Sequence, residues 1–292
     1  GLLPAAAALQ GISVRIMVMA GPVLAGILVV SVGYAWTYSI GVVLMFSLFL
    51  GLWSLPAVRP EGTIVRPGLE SLRDGLRFLK GAKNIRLQYI LDIIAMTFGH
   101  PLALFPAIGA VLLGGGAITT GVLTAAFAVG AFFSSLFSGP IGRYRWHGRG
   151  IERAILVYGI AEAAFGLVLL AAAFGWFTPT LVDLTHANIA LIAVAFLTLV
   201  IAGGADNVSA IYRSTMMQSA VPDAIRGRLQ GIFIVVVAGG PRVGALYAGT
   251  LATLTTLWFP PLLGGLLIFG LVGLLVRLNP RFRDYDALEP IA

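Results

Sequence analysis

Charged side chains inside long apolar stretches are the residues of this sequence most able to do chemistry. Arg242 lies roughly thirteen residues into such a stretch, which is about 20 Å along a helix. A charge at the centre of a membrane helix costs roughly 2.5–3.5 kcal/mol on insertion scales, so it usually faces a cavity or a partner. We therefore expect Arg242 to line a polar cavity or to form a buried ion pair.

Two carboxylates and a second arginine also interrupt apolar stretches. Glu162 lies roughly eight residues into its stretch, where burial favours the protonated carboxyl and would let it carry a proton. Pairing with a neighbouring helix is the alternative. Asp92 and Arg15 lie only roughly six residues from one end of their stretches. They could be functional residues, they could extend their charged ends to the water at the membrane surface, or they could pair with each other.

His100 extends the list of candidate proton carriers. It follows Asp92 by eight residues, which places Asp92, Met96 and His100 within about 80° of one helix face. Such a set could relay protons, although a lone histidine on an apolar helix more often bonds to a neighbour's carbonyl. Pro101 directly after it predicts a kink.

Signatures of enzymes are missing from the sequence. There is no cysteine and there are three histidines, and neither an HExxH motif nor a phosphate-binding loop occurs. We expect neither enzymatic catalysis nor a metal or cofactor.

The elements that carry these residues are membrane spans. Of 292 residues, 59% are hydrophobic and 11% charged, against roughly 25% charged in soluble domains. Runs of about 20 apolar residues predict transmembrane helices, so the fold class is an all-α membrane protein. The eight predicted spans are 9–30, 35–55, 87–113, 117–138, 154–176, 187–205, 229–252 and 258–276.

Basic residues are distributed almost entirely to one side of these spans. Of the 19 lysines and arginines, all except Arg15 and Arg242 fall in alternate connections or in the tail. The third of these connections contains Arg213, Arg226 and Arg228. The positive-inside rule then places this side, and both ends of the chain, in the cytoplasm. Orientation accounts for the net charge of +7, so nucleic acid is not an expected partner.

The longest connection, 56–86, is predicted to contain an amphipathic helix. Its leucines recur at three- and four-residue spacing with charged residues between them, which is typical of a helix lying on the membrane surface. It suits a linker between two groups of spans, and a solvated loop helix is the alternative. The leucines are Leu69, Leu72, Leu76 and Leu79.

Two spans share a pattern. Residues 9–12 and 229–232 both read LQGI, and GPVLAG at 21–26 corresponds to GPRVG at 240–244. Duplicated six-span halves are typical of transporters. Proline bends a helix and glycine permits close approach, so we expect packing contacts between halves here, with ordinary tight packing as the alternative. The motif residues are Gly21, Pro22, Gly26, Gly240, Pro241 and Gly244.

Three strings carry a resemblance to a known family: GPVLAG at 21–26, SLRDGLRFL at 71–79 and VPDAIRGRLQG at 221–231. The chain resembles the last eight helices of a twelve-helix major facilitator superfamily transporter, in the branch of the enterobactin exporter and related efflux proteins. The loop GPIGRYRWHGR at 139–149 is similar to a repeated loop of the superfamily but lacks its aspartate, which puts any gating role of that carboxylate in doubt.

The resemblance implies a division of the chain. Residues 1–55 would be the last two helices of the N-terminal half, 56–86 a cytoplasmic linker, 87–279 a six-helix C-terminal half and 280–292 a cytoplasmic tail. Because the chain begins GLLP without methionine, we interpret it as a fragment missing its N-terminal part.

The resemblance also implies a function. We expect a monomeric secondary transporter of the cell (inner) membrane that exports a hydrophobic or siderophore-like small molecule by alternating access, with protons as the coupling ion. A channel or structural membrane subunit without coupled transport, and an importer of the same fold, remain open alternatives.

Overall fold

The computed structural model describes residues 3–53, 69–175 and 187–290, and almost all of them are helical. Helix α1 spans Leu3–Trp53 and is broken at Gly33, whose φ of 80° and ψ of 170° are not helical. Glycine accepts this backbone conformation without strain from a Cβ. The segment is therefore two helices that meet at one residue. The side chains of Arg15 and Pro22 lie outside the described residues.

Seven further helices follow α1. Helix α2 corresponds to the amphipathic helix predicted within 56–86, and residues 54–68, which precede it, lie outside the described residues. The bounds are Leu69–Gly81 for α2, Lys83–Phe98 for α3, Gly116–Leu136 for α4, His147–Ala173 for α5, Ile189–Ala220 for α6, Asp223–Leu254 for α7 and Phe259–Leu278 for α8. Short helices occupy Ser138–Gly142 and Pro280–Arg283.

Seven stretches in the described part of the chain are long and apolar enough to cross a membrane. The first, Leu24–Phe49, runs across Gly33. The predicted spans 9–30 and 35–55 are thus separated by a single non-helical residue and not by a loop. The other stretches are Lys83–Leu112, Gly116–Leu136, His147–Ala173, Ile189–Ala220, Ile225–Leu254 and Phe259–Leu278.

The predicted end of the sixth span at residue 205 was wrong. Helix α6 continues to Ala220, and Arg213, predicted to lie in a connection, is a buried residue of this helix. The polar residues Asp206, Asn207 and Arg213 lower the hydropathy of this stretch. The helix nevertheless continues, and its arginine is enclosed through the ion pair with Asp92 of α3.

The expected helical face shared by Asp92, Met96 and His100 is interrupted. Helix α3 ends at Phe98, and His100 has φ −127° and ψ 71°. The residue before a proline is disfavoured in the α conformation, and Pro101 follows His100. The chain resumes as a 3-10 turn at Pro101–Leu104, a helical turn at Phe105–Ala107 and a π turn at Ile108–Leu112. His100 is therefore not on the helical face of α3 that carries Asp92.

Glycines allow α4 and α6 to approach closely. A Cβ at Gly203 would overlap the backbone carbonyl of Phe127, and one at Gly130 would overlap the carbonyl of Val200. Membrane helices associate through such small residues because lipid supplies no hydrophobic driving force between them. This contact holds α6, and the charged residues on it, at a fixed position in the bundle.

Replacing Gly203 with alanine is expected to destabilise the protein. The added methyl group forces α4 and α6 apart, and overpacking of this kind costs about 1–3 kcal/mol. A matched change is Gly249→Ala on α7, where nothing lies within 4 Å of the added carbon and alanine favours the helix by about 0.5–1 kcal/mol. Size-exclusion chromatography of heated, detergent-solubilised protein gives the melting temperature of each variant. Equal melting temperatures would contradict the close packing.

Candidate functional site

Three charged side chains meet inside the bundle between α3 and α6. The guanidinium of Arg213 forms an ion pair with the carboxylate of Asp92, and these side chains are 7% and 1% exposed. A second carboxylate, Asp206, places Oδ1 3.7 Å from Nη2 of Arg213 and is 21% exposed. Burying charges in a low-dielectric interior is costly unless they are paired. We call these three residues the charge triad.

Polar groups surround the triad. A cavity of about 60 Å³ adjoins Asp92 and Arg213, which is room for roughly two water molecules. The hydroxyl of Tyr89 on its wall donates to the Leu229 carbonyl at 3.1 Å, fixing α3 against α7. The cavity is lined by Gln88, Tyr89, Asp92, Arg213, Ser214, Met217, Gln230 and Phe233. A small cavity with both polar and apolar walls thus lies beside Asp92, within the span of α3.

Glu162 on α5 is deeper in the bundle and has no exposed surface. Among the described residues, neither of its carboxyl oxygens has a hydrogen-bond partner. Tyr158 lies one turn earlier, donates its hydroxyl to the Gly99 carbonyl, and is within electrostatic range of both Glu162 and Asp206. An isolated ionised carboxylate is strongly disfavoured in such a place, so this position suits a group that binds and releases a proton.

His100 is close to this region but is not placed beside Asp92. Its ring packs edge-on against Phe127 at 5.0 Å between ring centroids, and Phe127 in turn packs against Tyr158 at 6.0 Å. The expected relay from Asp92 through His100 is therefore replaced by two separate contacts: Asp92 with Arg213, and His100 with an aromatic cluster. Asp92 pairs with Arg213, and the pairing with Arg15 considered from sequence falls outside the described residues.

Arg242 lies on a different surface. It is exposed near the middle of α7, about 200° around the helix from Gly240 and Gly244. Those two glycines face α3, where a Cβ would lie 2.8 Å from Met96 Cβ and from the Met96 carbonyl oxygen respectively. In the described part of the chain, no ion pair reaches Arg242.

The other glycines of the repeated motif differ from one another. A Cβ at Gly26 would lie 2.6 Å from the Ala117 carbonyl oxygen, whereas nothing lies within 4 Å of one at Gly21. Gly26 therefore marks close packing of α1 on α4, and Gly21 does not mark a close contact. Pro241 lies within α7 without ending it.

The loop before α5 binds the C-terminal tail. Arg145 contacts Asp286 at 2.5 Å and Arg149 contacts Asp284 at 2.6 Å. The Arg145 guanidinium lowers the pKa of the Asp286 carboxyl through a hydrogen bond and its charge. The loop lacks an aspartate of its own, and acids from the tail are the partners of Arg145 in the loop and of Arg149 in the first turn of α5. Residues 280–289 are thus docked on α5 and its preceding loop.

Sequence reasoning missed Arg213 and Asp206. Both lie beyond the predicted end of their span, so Arg213 was counted among residues that only orient the protein and Asp206 was not considered. A signal was present, because residues seven apart lie two turns apart on nearly the same face of a helix. An acid and a base at this spacing, next to a long apolar run, indicate a continuing helix with a charged face.

No group of three or more histidine and acidic side chains is arranged to hold a metal ion in residues 3–53, 69–175 and 187–290. The charge triad contains two carboxylates and an arginine. Its members form ion pairs with one another.

A polytopic helical bundle with a buried charge triad is the architecture of a secondary transporter, and comparison with known proteins agrees. The family described as transmembrane secretion effector matches residues 2–292. The chain belongs to this family of the major facilitator superfamily, and it is a multi-pass membrane protein.

Several curated proteins are similar to the chain. The enterobactin exporter EntS of Shigella boydii serotype 18 (strain CDC 3083-94 / BS512) is 28% identical over 289 residues, covering 96% of this chain and 62% of the relative. The proteins of the same name from Escherichia coli O81 (strain ED1a) and Escherichia fergusonii give the same identity and coverage. The chain thus spans 62% of the length of these relatives. No solved structure matches it.

Proposed function

We propose that the protein exports a hydrophobic or siderophore-like small molecule by alternating access, driven by protons flowing inward. The observation that carries this proposal is the charge triad, because it combines two acids and one base between two helices inside the membrane span. Buried ionisable residues within membrane helices mark ion and substrate pathways. Relatives 28% identical are named as enterobactin exporters, which supports export and a siderophore as the first substrate to test.

The coupling proton is carried by buried carboxylates. Glu162 is fully buried without a partner in the described part of the chain, and Asp92 pairs with a single arginine. Protonation of either removes a charge that the surrounding helices must otherwise accommodate. The energy of a proton gradient thereby acts on how α3, α5 and α6 pack together.

Arg242 is the candidate contact for the exported molecule. An arginine near the middle of a membrane helix does not remain stable against lipid tails, so it faces a water-filled space or another part of the protein. Siderophores of the catecholate or carboxylate type carry acidic oxygens, which suit a guanidinium. Arg242 therefore selects for an anionic group on the substrate.

Orientation follows from the basic end of the bundle. Three arginines lie beyond the ends of the apolar stretches or at their margin, and each pairs with an aspartate. The pairs are Arg145 with Asp286, Arg149 with Asp284 and Arg228 with Asp74. The positive-inside rule assigns this end to the cytoplasm. Inward proton flow then runs towards the end at which α3 begins.

Everted inner-membrane vesicles containing the complete protein test the proposal. We expect uptake of enterobactin to require an imposed pH gradient, acid inside, to saturate with concentration and to stop when a protonophore is added. Vesicles without the protein are the control. A flux that ignores the gradient and does not saturate indicates a channel, and uptake that occurs only into right-side-out vesicles indicates an importer; either result rejects the proposal.

A further inference from the structure

The charge triad contains one more acid than base. Arg213 carries a single positive charge, while Asp92 and Asp206 would carry two negative charges if both were ionised. Two carboxylates that share one site resist ionising together, because like charges repel strongly in a low-dielectric interior. A triad with one proton is neutral, and a triad without it leaves one uncompensated charge inside the bundle.

In the part of the chain that the structure describes, Arg213 is the one cation that forms an ion pair with Asp206. Helix α5 places Tyr158 near Asp206, with Glu162 one turn beyond it. It also places Arg153 beside Ala205 and Tyr212 of α6, but that arginine forms no ion pair with Asp206 in the described residues. On α3, Asp92 shares Arg213 with Asp206. Helix α4 also packs on α6, but its sequence, Gly116–Leu136, contains no titratable side chain. Arg213 is therefore the cation for both carboxylates.

We propose that Asp92 and Asp206 share one proton and that Arg213 changes partner when this proton passes between them. In the present structure Arg213 is in direct contact with Asp92, and Asp206 is the more distant carboxyl at 3.7 Å. The proton resides on Asp206 in this state. Its role in transport rests on the function proposed above, but its location can be measured without any transport.

The transfer is a proton movement alone. The O–H bond of Asp206 breaks and an O–H bond forms on Asp92. Arg213 contacts both carboxyls, and the cavity beside Asp92 and Arg213 has room for a water molecule on the Asp92 side of the path. The positive charge of Arg213 then turns to the newly ionised Asp206. No electrons are exchanged, and the net charge of the triad stays zero throughout.

The transfer changes which helices are joined. Asp92 belongs to α3, while Arg213 and Asp206 both belong to α6. With the proton on Asp206, Arg213 links α6 to α3; with the proton on Asp92, it pairs within α6 and the link is released. The position of one proton therefore decides whether an ion pair joins these two helices, in addition to the hydrogen bond from Tyr89 of α3 to Met217 of α6.

The two carboxyls also lie at different depths. Asp206 is about 21 Å from the Ala220 end of α6, and Asp92 is about 14 Å from the Lys83 end of α3, at 1.5 Å per residue. Both of those ends are at the basic side of the bundle. Transfer from Asp206 to Asp92 moves the proton towards that side, which is the direction expected for inward flow.

Infrared difference spectroscopy of the purified complete protein tests the shared proton. We expect Asp206→Asn to remove a protonated carboxyl band, because Asp206 holds the proton. We expect Asp92→Asn to remove a protonated carboxyl band as well, because Arg213 then pairs with Asp206, which loses its proton. Asp74→Asn is the matched control, since Asp74 pairs with Arg228 at 2.9 Å and its loss should remove an ionised carboxylate band. Loss of an ionised band from either triad variant overturns the proposal, and one folded triad variant suffices to decide it.

Vesicle transport separates this proposal from the function on which it rests. We expect Asp206→Asn to lose uptake driven by the pH gradient while retaining exchange of labelled for unlabelled enterobactin. If the wild type transports but never responds to the gradient, proton coupling fails, and the spectra still decide whether the proton is shared. If Asp206→Asn responds to the gradient like the wild type, the partner change is not part of transport.

Discussion

Replacing Arg213 with glutamine is expected to reduce sharply the amount of folded protein in the membrane. The change leaves Asp92, which is 1% exposed, without its counter-charge. Breaking a buried ion pair by removing one partner costs about 3–5 kcal/mol, a large part of the stability of a typical fold. Fluorescence-detected size-exclusion chromatography of a tagged protein gives the folded yield and its melting temperature.

Two matched variants separate the buried charge from the loss of a long side chain. Arg228→Gln breaks a comparable pair with Asp74, but that arginine side chain is 35% exposed and the loss should be about 0–1 kcal/mol. Adding Asp92→Asn to Arg213→Gln removes the stranded charge and should recover most of the yield. If the double variant is as unstable as Arg213→Gln, the ion pair is not the reason for the instability.

Replacing Glu162 with glutamine is expected to abolish uptake driven by a pH gradient without loss of folded protein. Glutamine has nearly the same shape but cannot gain or lose a proton. Because Glu162 is fully buried and its oxygens have no partner in the described part of the chain, no ion pair there is broken. Everted vesicles measure gradient-driven uptake. Exchange of labelled for unlabelled substrate measures the substrate transport that does not need a gradient.

The control for Glu162 is an acid at the surface. Glu289→Gln changes an exposed residue of the tail and should leave both forms of transport intact. If Glu162→Gln retains a normal response to pH, Glu162 is not a proton carrier, and Asp92 and Asp206 remain as the acids of the pathway.

Most of the fold could be predicted from sequence because membrane spans depend on composition. Six of the seven apolar stretches correspond in order to six predicted spans, since the apolar runs themselves define them. The failures have local causes. Gly33 joins two predicted spans by one residue, and the polar stretch after residue 205 concealed fifteen further residues of α6.

The candidate site was less predictable, because it depends on which helices are neighbours. Asp92 and Glu162 were found as acids in apolar runs, but nothing in the sequence near Asp92 indicates that Arg213 lies against it 121 residues later. The tail shows the same difficulty. Its aspartates, Asp284 and Asp286, pair with Arg149 of α5 and Arg145 of the loop before it, and only the folded chain brings them together.

The measurement that tests the central claim most directly is proton release on substrate binding. In an exporter that exchanges substrate for protons, substrate binding favours the state in which the buried carboxyls have released their protons, so binding of one expels the other. We expect the substrate to acidify a weakly buffered solution of the purified complete protein, and Glu162→Gln or Asp206→Asn to reduce the release. Binding without any change of pH in the wild type would contradict proton-coupled export.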